Sequence, residues 1–279
     1  MENIRYISKY LKSNLGTLLG VIIILTYLLL AIFAPLITPY DPITPTAEFR
    51  SPPSPEHWFG TDPSGLDVFS RVISAPRVDL VVGVSGTLIS MVIGITLGLI
   101  VGYFRGWYIT LILRIADLLQ AFPVFVLAMA LVAIAGPSIR NVIIVIGILN
   151  VPVYIRLVRS EVINFRERTV TEAAICIGNS NARILRRYMF PNNIEAALVQ
   201  ASVNVGWAIL LTASLSFIGA GVPVPTPEWG SMVAIGAKMM ITGQWWASLF
   251  PGLAIGLCVF GFALVGDAVR VLVNPERRG

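Results

Sequence analysis

The chain has 279 residues, of which 56% are hydrophobic and only 13% charged, with a formal net charge of +5. A mean hydropathy of +0.81 excludes a water-soluble domain and places the chain among integral membrane proteins. The two cysteines, Cys176 and Cys258, fall in distant parts of the expected topology without metal-ligand spacing, and read as packing residues.

A spanning helix needs about 20 predominantly apolar residues, because about 30 Å of hydrocarbon is crossed at about 1.5 Å per residue. Six stretches meet or approach this length: 15–34, 80–103, 117–136, 141–158, 197–220 and 247–268. The fourth is short. Only 141–155 precede Arg156, about 22 Å of helix, so Arg156 must snorkel to the interface or sit against protein. With the N-terminus inside, the inner ends and loops hold Arg5, Lys9, Lys12, Arg105, Arg114, Arg156, Arg159, Arg166, Arg168, Arg183, Arg186, Arg187, Arg270, Arg277 and Arg278. The outside holds Arg50, Arg71, Arg77, Arg140 and Lys238. Fifteen against five is a positive-inside distribution, with both termini cytoplasmic. The net charge is therefore topology and not a nucleic-acid footprint. The basic start and long first apolar run lack a cleavage site and read as a retained helix.

After the first span, residues 35–79 are rich in proline, which denies them long helices. "GTDPSGLDVFSRVI" reads as a turn leading into a short amphipathic helix, with Val68, Val72 and Ile73 on one face. A boundary near residue 75 divides an N-terminal helix and Pro-rich segment (1–75) from a five-helix core (76–279). His57, the single histidine, reads as a satisfied loop residue and not a ligand. The second span carries Gly86, Ser90, Gly94, Gly98, Gly102 and Gly106 at every fourth position, a stripe that lets helix backbones approach closely. Internal packing accounts for it more simply than a subunit interface, and Gly252 with Gly256 repeats the device in the last span. Trp58, Trp229, Trp245 and Trp246 read as an outer aromatic belt and Trp107 as an inner one. Asp117 lies at the start of the third span, three residues after Arg114, a pairing distance on a helix; Asp267 lies near the end of the last.

Residues 159–192 carry Arg159, Glu161, Arg166, Glu167, Arg168, Glu172, Arg183, Arg186 and Arg187. At roughly 2.5–3.5 kcal/mol each, nine charges oppose insertion by more than about 20 kcal/mol, so the segment stays in water. Thr169 with Glu172 three residues later forms the pattern of a capping box opening a helix over about 170–177. Gly178 suits the left-handed position that ends it. Ser180 can cap a second helix of about 181–190, Pro191 breaks it, and Asn192 with Glu195 resembles a cap for the fifth span. A two-turn helix with a slim apolar face, Ala173 and Ala174 beside Ile175 and Ile177, is poorly stable alone and makes sense as a plug for a groove on another protein. The alternative is a hairpin packed on its own helix ends.

The fifth span is the most polar, with Asn204, Trp207, Thr212, Ser214 and Ser216. Groups at that depth face the bundle interior or an aqueous path, so this span is a candidate pore wall, with interhelical hydrogen bonding as the alternative. The loop 222–238 starts as an extended Pro run, and a short helix from about Ser231 follows. Elsewhere the chain has no zincin or nucleophile-elbow motif, no G-x-x-x-x-G-K-[ST] loop for ATP phosphates, and no paired carboxylates inside the membrane. Neither an enzyme nor a self-powered carrier is expected, and no catalytic, cofactor-binding or metal-binding residues are assigned.

"EAAICIGNSNARILRRYMFPN" resembles the EAA signature of permease subunits of bacterial ABC importers, with Glu172, Ala173, Ala174, Gly178, Ile184, Pro191 and Asn192 at the matching positions. "HWFGTDPSGLDVFSRVI", "RIADLLQAFP", "ASLSFIGAGVPVPTPEWGSM" and "LFPGLAI" look like the second permease of the dipeptide/oligopeptide/nickel group, so the resemblance covers nearly the whole chain. Leu66 departs from the usual Arg, and Tyr188 from a common His. The resemblance implies an all-α membrane protein of six spans, with the type I ABC importer permease fold and an EAA loop over 159–195. The first hairpin helix would be a coupling helix docking on a cytoplasmic ATPase: Thr169, Glu172 and Gly178 hold its shape, Ala173, Ala174 and Ile177 form the contact, and Pro191 and Asn192 complete the motif. A bulky charge at Ala174 is then expected to uncouple transport. Implied partners are a paralogous permease, two ATPases carrying ATP and Mg, and an extracytoplasmic binding protein docking near Asp62, Asp67, Arg71, Glu228 and Trp229. The cargo is then a di- or oligopeptide; nickel chelates, opines or another small solute are alternatives, and a passive channel or scaffold is the reading from a different class.

Overall fold

The computed structural model describes residues 14–273. Arg5, Lys9, Lys12, Arg277 and Arg278 lie outside that range, and the Asp267 and Arg270 side chains are likewise not described. In chain order the helices are α1 (Leu15–Ile37), α2 (Val68–Ser74), α3 (Pro76–Tyr103), α4 (Trp107–Ala121), α5 (Val124–Ala135), α6 (Ile139–Arg166), α7 (Thr169–Cys176), α8 (Asn181–Ile184), α9 (Phe190–Phe217), α10 (Trp229–Met240) and α11 (Trp246–Val273). Among the described residues, five helical stretches are long and apolar enough to cross a membrane, and a sixth results if α4 and α5 count as one span.

That pair corrects the sequence reading of a continuous helix over 117–136. The axis turns by 96° between α4 and α5. The break falls at Phe122, whose φ of −93° and ψ of 145° are extended. Pro123 follows, and its ring biases the residue before it away from helical geometry toward the extended region. Twelve residues of α5 reach only about 18 Å, too short to cross alone. Asp117 pairs not with Arg114 but with Arg156, Nη2 to Oδ1 at 2.8 Å. The protein contact expected for Arg156 is thus with α4. The pair is half exposed, so its contribution is about 0–1 kcal/mol.

The centre of the bundle is the pairing of α3 with α6, which the small-residue stripe makes possible. A Cβ added at Gly98 would stand 2.7 Å from Val158 Cβ and 3.1 Å from Ile155 O, and one at Gly102 would stand 2.7 Å from Val162 Cβ. Gly94 meets Tyr154 in the same way. Without side chains at these positions the backbones close to a distance at which van der Waals packing holds them. A second close approach joins α1 to α11, where Gly20 faces Leu264 and Gly261 faces Ile23. Gly252 and Gly256 do not repeat this device within the chain, since a Cβ at either would meet open space.

Residues 38–75 fold onto the α10 end of the bundle. Two tryptophans assigned to an outer belt instead belong to this junction: Trp229 Nε1 donates to Val72 O at 3.1 Å and Trp246 Nε1 to Thr61 O at 3.1 Å, and both rings are buried. Their N–H groups find partners in protein, so they have no need of the interface. Trp58, Trp107 and Trp245 remain exposed.

At the opposite end α6 and α9 run far beyond the hydrocarbon. The 28 residues of α6 make about 42 Å of helix against about 30 Å of bilayer core. Much of the charged stretch is therefore span extension, with α7 and α8 as the hairpin between.

Candidate functional site

Arg168 occupies the N-cap of α7, with no side-chain cap bond, so Thr169 is the first helical residue and the capping box does not form. Thr171 does the anchoring. Its side chain is buried and Oγ1 donates to Phe165 O at 3.0 Å, tying α7 to the end of α6. The helix ends in a complete Schellman motif: Asn179 N donates to Ala174 O at 3.2 Å and Gly178 N to Ile175 O at 2.9 Å. Asn179 Nδ2 adds a bond to the same Ala174 carbonyl, at 3.0 Å. Gly178 sits at φ +81° with nothing within 4 Å of its missing Cβ, so its requirement is conformational alone.

The hairpin is held to α3 as well. Arg166 Nη1 donates to Tyr103 O at 2.9 Å, and Tyr103 Oη donates to Asn181 Oδ1 at 3.0 Å. Ala174 packs into a cluster with Tyr103, Phe165, Ile184, Met189 and Ala197. Only 2% of it is exposed. That corrects the expectation that Ala174 forms contact surface: its methyl faces the protein's own interior. The water-facing apolar side chains are Val170, Ile175 and Ile177, at 56%, 52% and 74% exposure, beside exposed Ala173 and Glu172. Ile175 stands beside Ile177 in the slim apolar face read from sequence; Val170 was not singled out there, although its offset from buried Thr171 and Ala174 follows helical period.

Ser180 caps α8, its Oγ accepting from Arg183 N at 3.4 Å. Pro191 does not break the chain of helix, and Asn192 does not cap a new one. A π-turn over Leu185–Met189 leads into α9, with Pro191 in its first turn. Proline supplies no N–H to the ladder, and the wider turn accommodates it. Asn192 Nδ2 donates to Tyr188 O and Asn193 Nδ2 to Met189 O, both at 2.6 Å. Asn181 to Phe217 is thus one helical stretch of 37 residues.

Of the five polar residues assigned to a pore wall, Asn204, Thr212 and Ser216 are buried within the bundle. Thr212 Oγ1 donates to Ala208 O at 2.8 Å, Ser216 Oγ accepts from Val222 N at 3.1 Å, and Asn204 Oδ1 accepts from Gln200 Nε2 at 2.9 Å. Trp207 and Ser214 line an open cavity of about 380 Å³ with Phe125, Leu210 and Leu211. The fifth span therefore divides its polar groups between interior bonding and an open face.

The five residues assigned to binding-protein docking are all buried: Asp62, Asp67, Arg71, Glu228 and Trp229. None can present itself to a partner; together they latch the Pro-rich segment onto the bundle. Asp62 Oδ1 accepts from Ser64 N and Leu66 N, at 2.8 and 2.9 Å, and Asp67 Oδ2 caps α2 through Ser70 N at 2.7 Å. His57 Nδ1 lies 2.8 Å from Asp67 Oδ1, with its ring stacked on Tyr40. Arg71 Nη1 donates to Pro42 O and Pro225 O, at 2.8 and 3.0 Å, joining two distant loops. Glu228 caps α10 through Gly230 N and Ser231 N, at 2.8 and 2.7 Å, and Asp79 Oδ2 accepts from Trp229 N at 3.2 Å. Burial pushes the Glu228 carboxyl up, against the pull of the Ser231 and Gly230 N–H groups. Leu66 is buried in this latch.

A bundle of apolar helices with a structured hairpin held out in water is the frame of a multi-pass membrane permease subunit. Comparison with known proteins makes the class specific. The family model "Binding-protein-dependent transport system inner membrane component" matches residues 94–279, and the "N-terminal TM domain of oligopeptide transport permease C" matches 4–53. The chain belongs to this family of ABC importer permeases of the inner membrane, with the type I permease fold. Among its relatives, the dipeptide transport system permease protein DppC of Alkalihalophilus pseudofirmus is 43% identical, over 97% of this chain and 89% of that protein. The probable D,D-dipeptide permease DdpC of Escherichia coli is 40% identical over 96% and 90%, and the glutathione permease GsiD of Pectobacterium atrosepticum 36% over 96% and 89%. A solved chain of the MetNI methionine ABC transporter, in an inward-facing conformation, aligns with a TM-score of 0.59 at 15% identity, covering 73% of this chain and 96% of that one. At that identity the likeness concerns the fold alone.

Proposed function

We propose that the chain is one of two paralogous permease subunits of an ATP-driven importer of di- or oligopeptides. The observation that carries the mechanism is the hairpin: a two-turn helix, locked by Thr171 and a Schellman cap, that leaves Val170, Ile175 and Ile177 unpartnered in water. Exposed apolar side chains on a rigid mount are what a groove on a second protein can grip. That second protein is an ATPase subunit, one of two, carrying ATP and Mg, and the hairpin then faces the cytoplasm with both chain termini on the same side. Closure of the ATPase pair moves α7, and the 37-residue stretch from Asn181 to Phe217 carries the displacement to the open face at Trp207 and Ser214. ATP thereby biases a two-state rocking between inward-open and outward-open forms. An extracytoplasmic binding protein delivers cargo to the exposed surface over the buried latch. In the domain division we favour, residues 1–75 are an N-terminal unit supporting the core of 76–279.

The peptide assignment rests on the names of the relatives, which span dipeptides, D,D-dipeptides and glutathione. The test is reconstitution of the chain with its co-purifying subunits in proteoliposomes, measuring ATP hydrolysis and uptake of labelled dipeptide with the binding protein present. Stimulated hydrolysis with peptide uptake is expected. Hydrolysis stimulated by another solute but not by peptides overturns the cargo, and a chain that purifies without any ATPase overturns the mechanism.

A further inference from the structure

A cavity of about 600 Å³ opens between α3, α4 and α6 at the hairpin end of the bundle, within the roughly 300–1,000 Å³ range of small-molecule sites. Arg105, Arg159 and Arg166 line it. Among the described residues, none of the three guanidiniums has a carboxylate within 4.0 Å; the described ion pairs lie elsewhere, at His57 and at Arg156. Arg159 Nε is enclosed and has no hydrogen-bond partner. Arg166 is aimed by its bond to Tyr103 O and by its position 5.5 Å over the Tyr103 ring. An enclosed guanidinium donor without an acceptor, here Arg159 Nε, is costly, and three guanidiniums around one cavity are the chemistry that receives a phosphate.

The rest of the lining names the source of that phosphate. Val101, Ile109, Leu113 and Ile163 supply an apolar wall, so the cavity joins hydrocarbon to charge as a headgroup site must. Trp107 and Tyr108, exposed beside the Arg105–Gly106 turn, are the ring types that settle at headgroup depth. Glu167 and Glu172 also face the cavity, where they repel a phosphate toward the arginines. Three guanidiniums against two carboxylates leave the site net positive, which favours a net anionic headgroup over a zwitterion. We infer that this cavity is a binding site for the phosphate of an anionic phospholipid headgroup from the adjoining leaflet. The inference stands independently of the proposed cargo. Because Glu172 lies on α7, an occupied site would abut the hairpin.

The test uses the full chain in its assembled complex, in nanodiscs of phosphatidylcholine doped with phosphatidylglycerol or phosphatidylethanolamine, with bound lipid read by native mass spectrometry. Phosphatidylglycerol is expected to be retained preferentially. At about five-fold in affinity per basic residue near an anionic surface, Arg105→Gln and Arg159→Gln should each weaken retention by that factor and the double variant by roughly 25-fold. Arg159→Lys, which keeps the charge, should retain lipid within a few-fold and reports on folding. Equal retention of the three lipids by the unaltered complex overturns the inference without recourse to any variant. So does a double variant that retains phosphatidylglycerol unchanged, or displacement by millimolar inorganic phosphate, which would assign the site to free phosphate. Crosslinking of this cavity to an acidic side chain of a partner subunit would assign it to protein instead.

Discussion

Replacing Ile177 by Ala tests the hairpin most directly. Ile177 is 74% exposed and sits at the C-cap of α7, where its backbone N–H donates to Ala173 O. Truncating its side chain therefore removes little from the folded chain. Full burial of an aliphatic side chain of this size is worth about 1.5–3 kcal/mol. Ala keeps only the first carbon, so about 1–2 kcal/mol of association with an ATPase is lost, a weakening of roughly five- to thirty-fold. Thermal unfolding of the isolated subunit should stay where it was. Ala174→Leu should behave oppositely, because Ala174 is 2% exposed and an overpacked core costs about 1–3 kcal/mol. Its unfolding temperature falls, while the outer surface of α7 keeps its side chains. The assay is titration of the purified ATPase onto each variant in nanodiscs, beside a thermal scan. If Ile177→Ala binds the ATPase as tightly as the unaltered chain, the docking surface lies elsewhere. If Ala174→Leu loses ATPase affinity with no change in unfolding, the burial argument fails.

Gly178→Ala places a side chain at φ +81° with no steric neighbour, so the cost is backbone strain of about 1–2 kcal/mol; hydrogen exchange over residues 169–179 should rise, and Gly178→Asn should recover part of the protection. Gly98→Leu forces a side chain into Val158, whose Cβ lies 2.7 Å from the added carbon; it should abolish stable insertion, with Gly252→Leu, which meets open space, expressing normally in the same blot. Glu228 gives a pH dependence. Its folded pKa is raised by burial from an ordinary value of 4.5, so the folded state binds the proton more tightly than the unfolded chain does. Its contribution to stability is fully present below about pH 4.5 and is lost as pH rises through the elevated folded value. Glu228→Gln should flatten that part of the unfolding profile, measured by thermal scans in detergent from pH 5 to 8, and an unchanged slope refutes the assignment.

How much of this was legible in the sequence depends on whether the deciding physics is local. Span number, the stripe at Gly94, Gly98 and Gly102, and the left-handed glycine at 178 all follow from apolar run length, side-chain absence and backbone sterics, which neighbouring residues largely fix. The sequence reading failed where a partner far along the chain decides. Asp117 looks paired to Arg114 three residues away, yet Arg156 on another helix takes it. Trp229 and Trp246 look like interface anchors until Val72 O and Thr61 O, more than 150 residues distant, accept their N–H groups. The EAA hairpin shows both behaviours in one helix. Its ends were placed within a residue or two, but which face turns outward depends on where α6 and the π-turn set it down, and that buried Ala174 while freeing Ile175. Pro191 makes the same point from the other side. A proline at that position reads as a stop, and only the accommodation by a π-turn and two asparagine amides lets α8 and α9 act as a single rod. For the lever proposed above, continuity matters more than regularity: the irregular turn keeps α8 joined to α9 as one helical stretch, where a true break would have left the hairpin tied to the membrane helices only through α6 and α3.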